Sequence, residues 1–194
     1  MTRYGSEHKE ATRRRIIETA GRRLKRDGIY GAGITALMSD AGLTNGAFYA
    51  HFASKGDLVA AVVANQLEAQ AAAITELPEG RAALTDYVRW YLSLEHRDDA
   101  ANGCPSAALL DEIARQGGEV GATYQRGVAA IVDEIAHRLV RDWSFEPALA
   151  RMRAVGLMTV LISSLQLARA VTDEQIVDQI FAAGIENARA LLAS

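Results

Sequence analysis

The residues best able to do chemistry stand in one short run, TNGAFYAHFASK, which begins at Thr44. An asparagine amide or an alanine methyl can meet base edges in the major groove of DNA, and Asn45 and Ala47 carry these groups. A tyrosine hydroxyl and an imidazole can hydrogen-bond to phosphate, as Tyr49 and His51 would, and the lysine that ends the run adds a positive charge. The chemistry that this run indicates is therefore recognition of double-stranded DNA.

Such side chains need a helix that presents them, and the residues before the run predict a first helix and its end. Leu37, Met38 and Ala41 recur at helical spacing and are expected to face inward. Gly42 follows them, and glycine ends helices because it adopts the left-handed backbone that other residues resist. We therefore expect a helix that stops at a tight turn just before the run.

A second helix is predicted from about Asn45 to Phe52, with Thr44 as the cap whose hydroxyl binds the first free amides. Phe48 and Phe52 lie four residues apart and share one face, so both are expected to pin this helix to the core. Ser54 is placed to cap a third helix. Two helices joined by a turn, with a small and polar outer face, make a helix-turn-helix.

The segment AGLTNGAFYAHFASKGDL resembles, in residue types and spacing, the signature of the TetR family of bacterial transcriptional regulators. The match is at motif strength up to about Val62. The resemblance implies that the first residues of the second helix approach base edges, that the preceding helix also reaches DNA, and that the tyrosine, histidine and lysine bind phosphates. The implied DNA-binding residues are Thr35, Thr44, Asn45, Gly46, Ala47, Tyr49, His51 and Lys55.

Gly33 departs from the family pattern, in which many relatives have serine or threonine as the cap of the first motif helix. Glycine permits the same backbone turn but offers no hydroxyl to the helix or to a phosphate. One phosphate contact is therefore expected to be missing here.

The length and layout of the whole chain also resemble the family, which implies a fold and a set of partners. The expected fold is all-α, with a three-helix helix-turn-helix DNA-binding domain over residues 1–54 and a larger C-terminal helical ligand-binding and dimerisation domain over residues 55–194. The implied partners are a palindromic double-stranded DNA operator, a small-molecule inducer and a second copy of the chain. The implied function is transcriptional regulation, with no cofactor and no enzymatic activity. Repression, as opposed to activation, is expected only because members of the family usually repress.

Charge is sorted along the chain. The net charge of −3 does not by itself suggest DNA, but residues 1–60 hold ten Lys and Arg against six Asp and Glu, whereas residues 61–194 hold eleven against eighteen. A basic head attracts phosphate and an acidic body avoids it. Most arginines of the first helix are expected on its solvated face, and the side chains expected nearest to DNA are Arg3, His8 and Arg13.

Past Val62 the pattern is helical, and about nine helices are expected in all. Breaks are expected around residues 77–80, 97–105, 116–118, 143–147 and 171–173. The last two helices, about 146–170 and 172–192, are the predicted dimer interface, because they carry more apolar surface than one subunit can cover. The apolar residues on which this rests are Leu157, Val160, Leu161, Leu165, Ile176, Ile180 and Ile185.

Aromatic and methionine side chains indicate a cavity between helices of the C-terminal part, of a kind that suits an apolar small molecule. At helical spacing such residues most often form core, so the pattern indicates a region more than individual contacts. The candidate residues are Tyr87, Trp90, Tyr91, Tyr124, Met152 and Met158.

Cys104 is the single cysteine of the chain and excludes an internal disulfide. Pro105 is well placed as the first residue of a helix, which sets Cys104 at the helix N-terminus, where free amides and the helix dipole stabilise a thiolate. Cys104 is therefore a candidate sensor of electrophiles or oxidants, as in some TetR-like regulators. The other interpretation is a buried structural turn, since cysteine is often buried.

Two further classes of function compete with a DNA-binding regulator. A thiol enzyme would pair Cys104 with His96 or His137, and His96 with Asp98 and Asp99 would suggest a metal, but neither set has diagnostic spacing. His96 is more simply the solvated end of a helix. The remaining class is a helical ligand-binding dimer that does not bind DNA.

The N-terminus has charged residues and no apolar segment of the kind that secretion requires, so a cytoplasmic protein is expected. The longest apolar run, residues 154–171, is interrupted by two serines, a glutamine and an arginine. A helix buried against partners is therefore expected there, and not a membrane span.

Overall fold

The computed structural model describes residues 3–193, with side chains from Ser6 onward, and this part of the chain is helical throughout, without strands. It contains nine α-helices and one 3₁₀ helix, which confirms the all-α prediction. Their bounds are α1 (Arg3–Asp27), α2 (Ile34–Asp40), the 3₁₀ helix (Asn45–Ala50), α3 (Lys55–Thr75), α4 (Arg81–Tyr91), α5 (Leu94–Asp98), α6 (Pro105–Gln116), α7 (Gly118–Trp143), α8 (Pro147–Ala170) and α9 (Glu174–Leu192).

The five predicted breaks all fall between helices, and one further break was not predicted. It separates α4 from α5 at Leu92 and Ser93, where neither glycine nor proline marks the sequence. The Ser93 hydroxyl caps α5 by accepting the His96 amide at 3.2 Å, and the His96 ring bonds back to the Tyr91 carbonyl at 2.8 Å. Side-chain hydrogen bonds thus replace the usual helix breakers.

The N-terminal head is built by α1, α2 and the 3₁₀ helix around one apolar cluster. Ile16, Ala20 and Leu24 form the fully buried stripe of α1, and Leu37 from α2 is equally buried. Phe48 is fully buried and Phe52 nearly so, with ring centroids 5.7 Å apart, as their spacing predicts. Both rings therefore pin the second motif helix to the head.

The C-terminal body is organised around α3, which contacts α1 and packs most extensively along α7. Arg138 on α7 is almost fully buried and holds the C-terminal end of α3. Its guanidinium donates to the carbonyls of Ile74 at 2.8 Å and Pro78 at 3.0 Å, and also to those of Thr75 and Leu77. One cation thus satisfies several backbone acceptors that the end of a helix leaves without partners.

α3 and α8 are long and apolar enough to cross a membrane by length and composition alone. Both instead serve as core helices, since α3 packs on α7, and α8 packs on α7 and α9. Leu67 on α3 and Leu157 on α8 are fully buried within the subunit.

The apolar residues expected to form a dimer surface are only partly exposed. Leu157, Leu161 and Leu165 are buried in the subunit's own core, so the prediction of these three as free surface was wrong. Val160, Ile180 and Ile185 are half-buried, and Ile176 is exposed. Because α8 is apolar on most of its circumference, a different stripe faces outward, with the exposed side chains Met152, Val155 and Leu167.

Candidate nucleic-acid interface and ligand cavity

The turn of the helix-turn-helix is closed by backbone hydrogen bonds at the end of α2. Gly42 has a φ of +67°, its amide donates to the Ser39 carbonyl at 2.9 Å, and the Leu43 amide donates to the Met38 carbonyl at 2.9 Å. This pair of bonds is the Schellman motif, which needs a left-handed residue after the helix. The predicted role of Gly42 is confirmed.

The second motif helix is shorter and tighter than predicted. It is a 3₁₀ helix over Asn45–Ala50, and the Thr44 hydroxyl makes no capping hydrogen bond, so the predicted Thr44 cap was wrong. The amide of Ala47 instead donates to the Thr44 backbone carbonyl at 3.1 Å. The segment is six residues long, and Asn45 and Gly46 are both poor helix formers, which favours a short 3₁₀ helix over an α-helix.

The two other predicted caps have different outcomes. The Ser54 hydroxyl accepts the Asp57 amide at 3.1 Å and caps α3, as predicted. Gly33 stands at the cap of α2 with an extended backbone and no side-chain bond, as a glycine must. Nothing lies within 4 Å of the position that a Cβ at Gly33 would take, so this face of the head is open there.

The residues predicted to bind DNA lie on α2, on the 3₁₀ helix and at the start of α3, with different degrees of exposure. Tyr49 is the most prominent, with 69% of its side chain exposed and its ring edge against Phe48 at 5.2 Å. The exposed members of the set are Thr35, Thr44, Asn45, Gly46 and Tyr49, and the half-buried members are Ala47, His51 and Lys55. The exposed members are therefore the ones free to contact DNA.

His51 and Lys55 are more constrained than the sequence indicates. Burial first, and then Lys9 and Arg13, lower the pKa of His51, so its imidazole is neutral near pH 7 and can offer phosphate only a hydrogen bond. The Lys55 ammonium donates to the Ile29 carbonyl at 2.5 Å, which ties the start of α3 to the loop after α1. Its remaining donors are those available for a phosphate.

The arginines of α1 divide into two groups. Arg23 is held by Asp27 at 2.7 Å and by Asp40 of α2, so it joins helices of the head. Arg13 lies over the Phe52 ring, 5.0 Å from its centroid, and stays exposed, as does His8. The side chain of Arg3 lies outside the described residues. Arg14, Arg15 and Arg22 are exposed as well and extend the basic surface.

A cavity of about 270 Å³ lies where α1, α3 and α4 meet the loop before α6. Four of the seven residues predicted for the ligand or sensor site line it: Tyr87, Trp90, Tyr91 and Cys104. Burial raises the pKa of Tyr87 to about 12 and that of Tyr91 well above its usual range, so both phenols are neutral hydrogen-bond donors. The cavity has an aromatic wall with a few polar tips.

Tyr124, Met158 and Met152 do not line this cavity. Tyr124 and Met158 border a separate groove of about 280 Å³ between α7 and α8, and the Tyr124 hydroxyl donates to the Ser106 hydroxyl oxygen at 3.0 Å. Met152 is 65% exposed. Met158 also lines a small pocket together with Tyr87 and Tyr91 of α4, whereas Tyr124 and Met152 are not part of that lining.

Cys104 is buried at the N-cap of α6, with Pro105 as the first helical residue, as predicted. Its backbone amide donates to Nε2 of His96 at 3.1 Å, while Nδ1 of His96 bonds to the Tyr91 carbonyl at 2.8 Å. These two bonds require the neutral imidazole with its proton on Nδ1, and burial lowers the pKa of His96 accordingly. His96 is a buried structural residue, so the expected solvated helix end was wrong.

The same geometry bears on the thiol-enzyme and metal alternatives. Nε2 of His96 faces the Cys104 amide and not its thiol, whose polar neighbour is Oε1 of Gln70 at 3.7 Å. Asp98 binds Arg97, and Asp99 binds Asn102. Within residues 3–193, His, Cys, Asp and Glu side chains do not gather in a group of three or more that would hold a metal.

Lys25 is a functional candidate that sequence reasoning missed, since it reads as one more cation of the basic first helix. It lines the cavity, and its ammonium donates to the Gly103 carbonyl at 2.8 Å. Burial lowers the pKa of Lys25 to about 8. The available signal was position alone, because Lys25 follows Leu24 at the edge of the buried stripe.

Comparison with known proteins supports a helix-turn-helix in the head. Residues 16–62 match the family described as bacterial regulatory proteins, tetR family. No curated protein matches the sequence.

Three solved structures illustrate the likeness of the whole fold. Reduced E. coli NemR has a TM-score of 0.76 and 18% identity, covering 90% of this chain and 95% of that one. A TetR-family regulator from Agrobacterium tumefaciens has a TM-score of 0.73 and 21% identity over 92% and 97% of the two chains. Another, from Cytophaga hutchinsonii, has a TM-score of 0.73 and 16% identity over 94% and 96%. The head of this protein, residues 16–62, thus carries the sequence pattern of the tetR family of bacterial regulatory proteins, and the whole chain has the fold of these solved regulators.

Proposed function

We propose that this regulator binds a palindromic operator as a cytoplasmic homodimer, represses transcription, and releases DNA when a small molecule or an electrophile occupies its cavity. The observation that carries the proposal is an exposed helix-turn-helix face in the same subunit as an aromatic cavity that contacts the head. Residues 1–54 would read DNA and residues 55–194 would bind ligand and partner. α3 contacts α1 and α7, so it runs from one part into the other.

The DNA-reading half of the proposal is supported by exposure and charge. Asn45 and Gly46 are the first two residues of the 3₁₀ helix, and both are exposed, so they would meet base edges. Tyr49 is exposed as well, and its hydroxyl would bind a phosphate. The net charge of residues 1–60 is positive, while that of residues 61–194 is negative. Two heads about 34 Å apart would read the two halves of a palindrome.

Asn45→Ala and Tyr49→Phe should separate base reading from phosphate binding. Removing the Asn45 amide is expected to weaken binding to the preferred sequence by roughly 1–3 kcal/mol and binding to other sequences only slightly. The difference in affinity between preferred and other sequences should therefore shrink. Tyr49→Phe keeps the ring that packs on Phe48 but loses the hydroxyl. It should lower the affinity for all DNA sequences about equally, by roughly tenfold. Both effects are read from titrations of operator and single-base variants at fixed salt.

The wild-type protein is the first control, tested on the DNA beside its own gene. If Asn45→Ala leaves the sequence preference unchanged, the assignment of the reading face is wrong. If the wild type binds no DNA at any salt concentration, the chain would instead be a ligand-binding dimer without DNA binding.

The release half of the proposal is supported by two polar contacts between the cavity segment and the head. Lys25 on α1 binds the Gly103 carbonyl at 2.8 Å, one residue before Cys104. Further along α6, the carboxylate of Glu112 accepts the Tyr30 amide, in the loop between α1 and α2, at 2.9 Å. A ligand that displaces residues 103–104 or α6 would therefore move the head, and so bias the spacing of two heads in a dimer.

Modification of Cys104 by N-ethylmaleimide is expected to lower operator affinity at least about tenfold. The sulfur adds to the maleimide double bond, and the adduct places a bulky ring in the cavity of about 270 Å³. Operator binding is titrated after mass spectrometry has shown single labelling. Cys104→Ser is the matched control and should bind operator with and without the reagent; labelled wild type that retains full affinity would refute a cysteine switch.

A further inference from the structure

The cavity beside Cys104 carries a positive charge that the protein does not neutralise. Among residues 6–193, the Lys25 ammonium donates to no carboxylate, and its one hydrogen bond is to the Gly103 carbonyl at 2.8 Å. Cys104 and then Asp99 act on the ammonium without a hydrogen bond to it, and Asp99 itself accepts hydrogen bonds from Asn102. A half-buried ammonium in this position lacks the anion that normally compensates its lost hydration.

A second cation lies behind the same loop. Arg169 on α8 donates to the carbonyls of His96 at 2.9 Å and Arg97 at 3.1 Å, and its Nη1 is buried without a partner. His96 between them is neutral, so it does not offset either charge. The potential in this part of the cavity therefore favours a negatively charged occupant.

An unused hydrogen-bond donor completes the polar end. Tyr91 is 2% exposed and lines the cavity, and its hydroxyl lies beside the Cys104 thiol without an oxygen or nitrogen partner. A buried hydroxyl without a partner costs free energy that a ligand oxygen can recover. Lys25 and Tyr91 thus offer two donors, from α1 and from the end of α4, to one cavity.

The rest of the lining suits an apolar body. Tyr87 and Trp90 belong to the wall, with their ring centroids 5.8 Å apart, and Trp90 stacks on His96 at 4.9 Å with an interplanar angle of 10°. Stacking on His96 favours one orientation of the Trp90 indole, which is 50% exposed and forms part of the cavity wall. A volume of about 270 Å³ limits the occupant to a small molecule.

We propose that the cavity binds a small organic carboxylate with an aromatic or apolar body, whose carboxylate pairs with Lys25 and accepts the Tyr91 hydroxyl. The body lies against Tyr87 and Trp90. This assignment deepens the proposed function by naming the chemical class of the inducer, and depends on that function only for the regulatory consequence.

Isothermal titration calorimetry of the full-length protein with benzoate and 1-naphthoate, and with neutral benzamide, tests the site directly. Saturable binding of a carboxylate is expected, with benzamide at least about tenfold weaker. Lys25→Met should weaken carboxylate binding at least about tenfold, while Arg22→Met, which removes an exposed cation one turn earlier on α1, should change it less than about twofold. Tyr91→Phe should weaken it by a smaller factor.

Several results would overturn the assignment. One is no saturable binding of either carboxylate up to roughly 10 mM. Another is equal binding of benzoate and benzamide, and a third is unchanged binding in Lys25→Met. Melting curves show whether Lys25→Met is folded, and Lys25→Gln provides a polar alternative if it is not. Carboxylate binding that persists in Cys104→Ser shows that Lys25 serves the ligand and not the thiol; its loss there would contradict the assignment.

Operator binding is titrated separately, with and without benzoate. A wild type that fails to bind operator would contradict the proposed function, while calorimetry still decides the site. A carboxylate that binds the cavity without releasing operator would uphold the site and refute its role as inducer site.

Discussion

Val155→Arg is expected to convert the proposed dimer into monomers and to lower operator affinity at least about a hundredfold, because one head would then bind without the other. Val155 is 49% exposed on the outward stripe of α8, between Met152 and Leu167, which are 65% and 57% exposed. Exposed apolar side chains in such a stripe are typical of a protein interface, and we propose this stripe as the contact between the two subunits. An arginine there would bury an unpaired charge on association, at a cost of several kcal/mol.

Sedimentation equilibrium measures the change in mass, and operator titration at fixed salt measures the change in affinity. Val140→Arg is the matched control, since Val140 is 38% exposed but lies near the end of α7 and not on α8. It should leave both mass and affinity unchanged. A Val155→Arg protein that remains dimeric would show that α8 does not form the interface, and a monomer with full affinity would refute dimeric reading of DNA.

Arg138→Met is expected to lower the free energy of unfolding by about 2–4 kcal/mol, because the carbonyls at the end of α3 lose a charged donor inside the protein. Arg138 is 4% exposed and binds the carbonyls of Ile74, Thr75, Leu77 and Pro78. Methionine fills much of the same volume, so the loss reports the hydrogen bonds more than the packing.

Urea denaturation followed by circular dichroism measures this change. Arg141→Met is the control, because Arg141 lies one turn later on α7, is exposed, and pairs with the same Asp142 that lies 3.9 Å from Arg138. It should cost less than about 1 kcal/mol. Equal losses in the two variants would show that the carbonyl contacts contribute little. The orientation of α3 concerns function, because its other end begins at the Ser54 cap beside the proposed DNA face.

Local signals predicted the helix-turn-helix and most helix ends. Gly42 ends α2 because a left-handed backbone is a property of glycine itself, and Ser54 caps α3 because its hydroxyl reaches an amide three residues on. Such features depend on neighbours in sequence, so residue types and spacing suffice to predict them. The break at Leu92 and Ser93 was missed because the ring of His96 helps to make it, and no local rule assigns a histidine that role.

Residue types alone therefore determined the all-α class, the reading motif, and the position of Cys104 at the start of α6. Tertiary structure decided which stripe of α8 faces outward, since a helix apolar on most sides has no single buried face by periodicity. It also decided that Lys25, one cation among many on α1, lies in the cavity beside Cys104. The physical reason is the same for both. The burial and the charge environment of a side chain depend on helices that are distant in sequence, so the spacing of residues along one helix does not predict them.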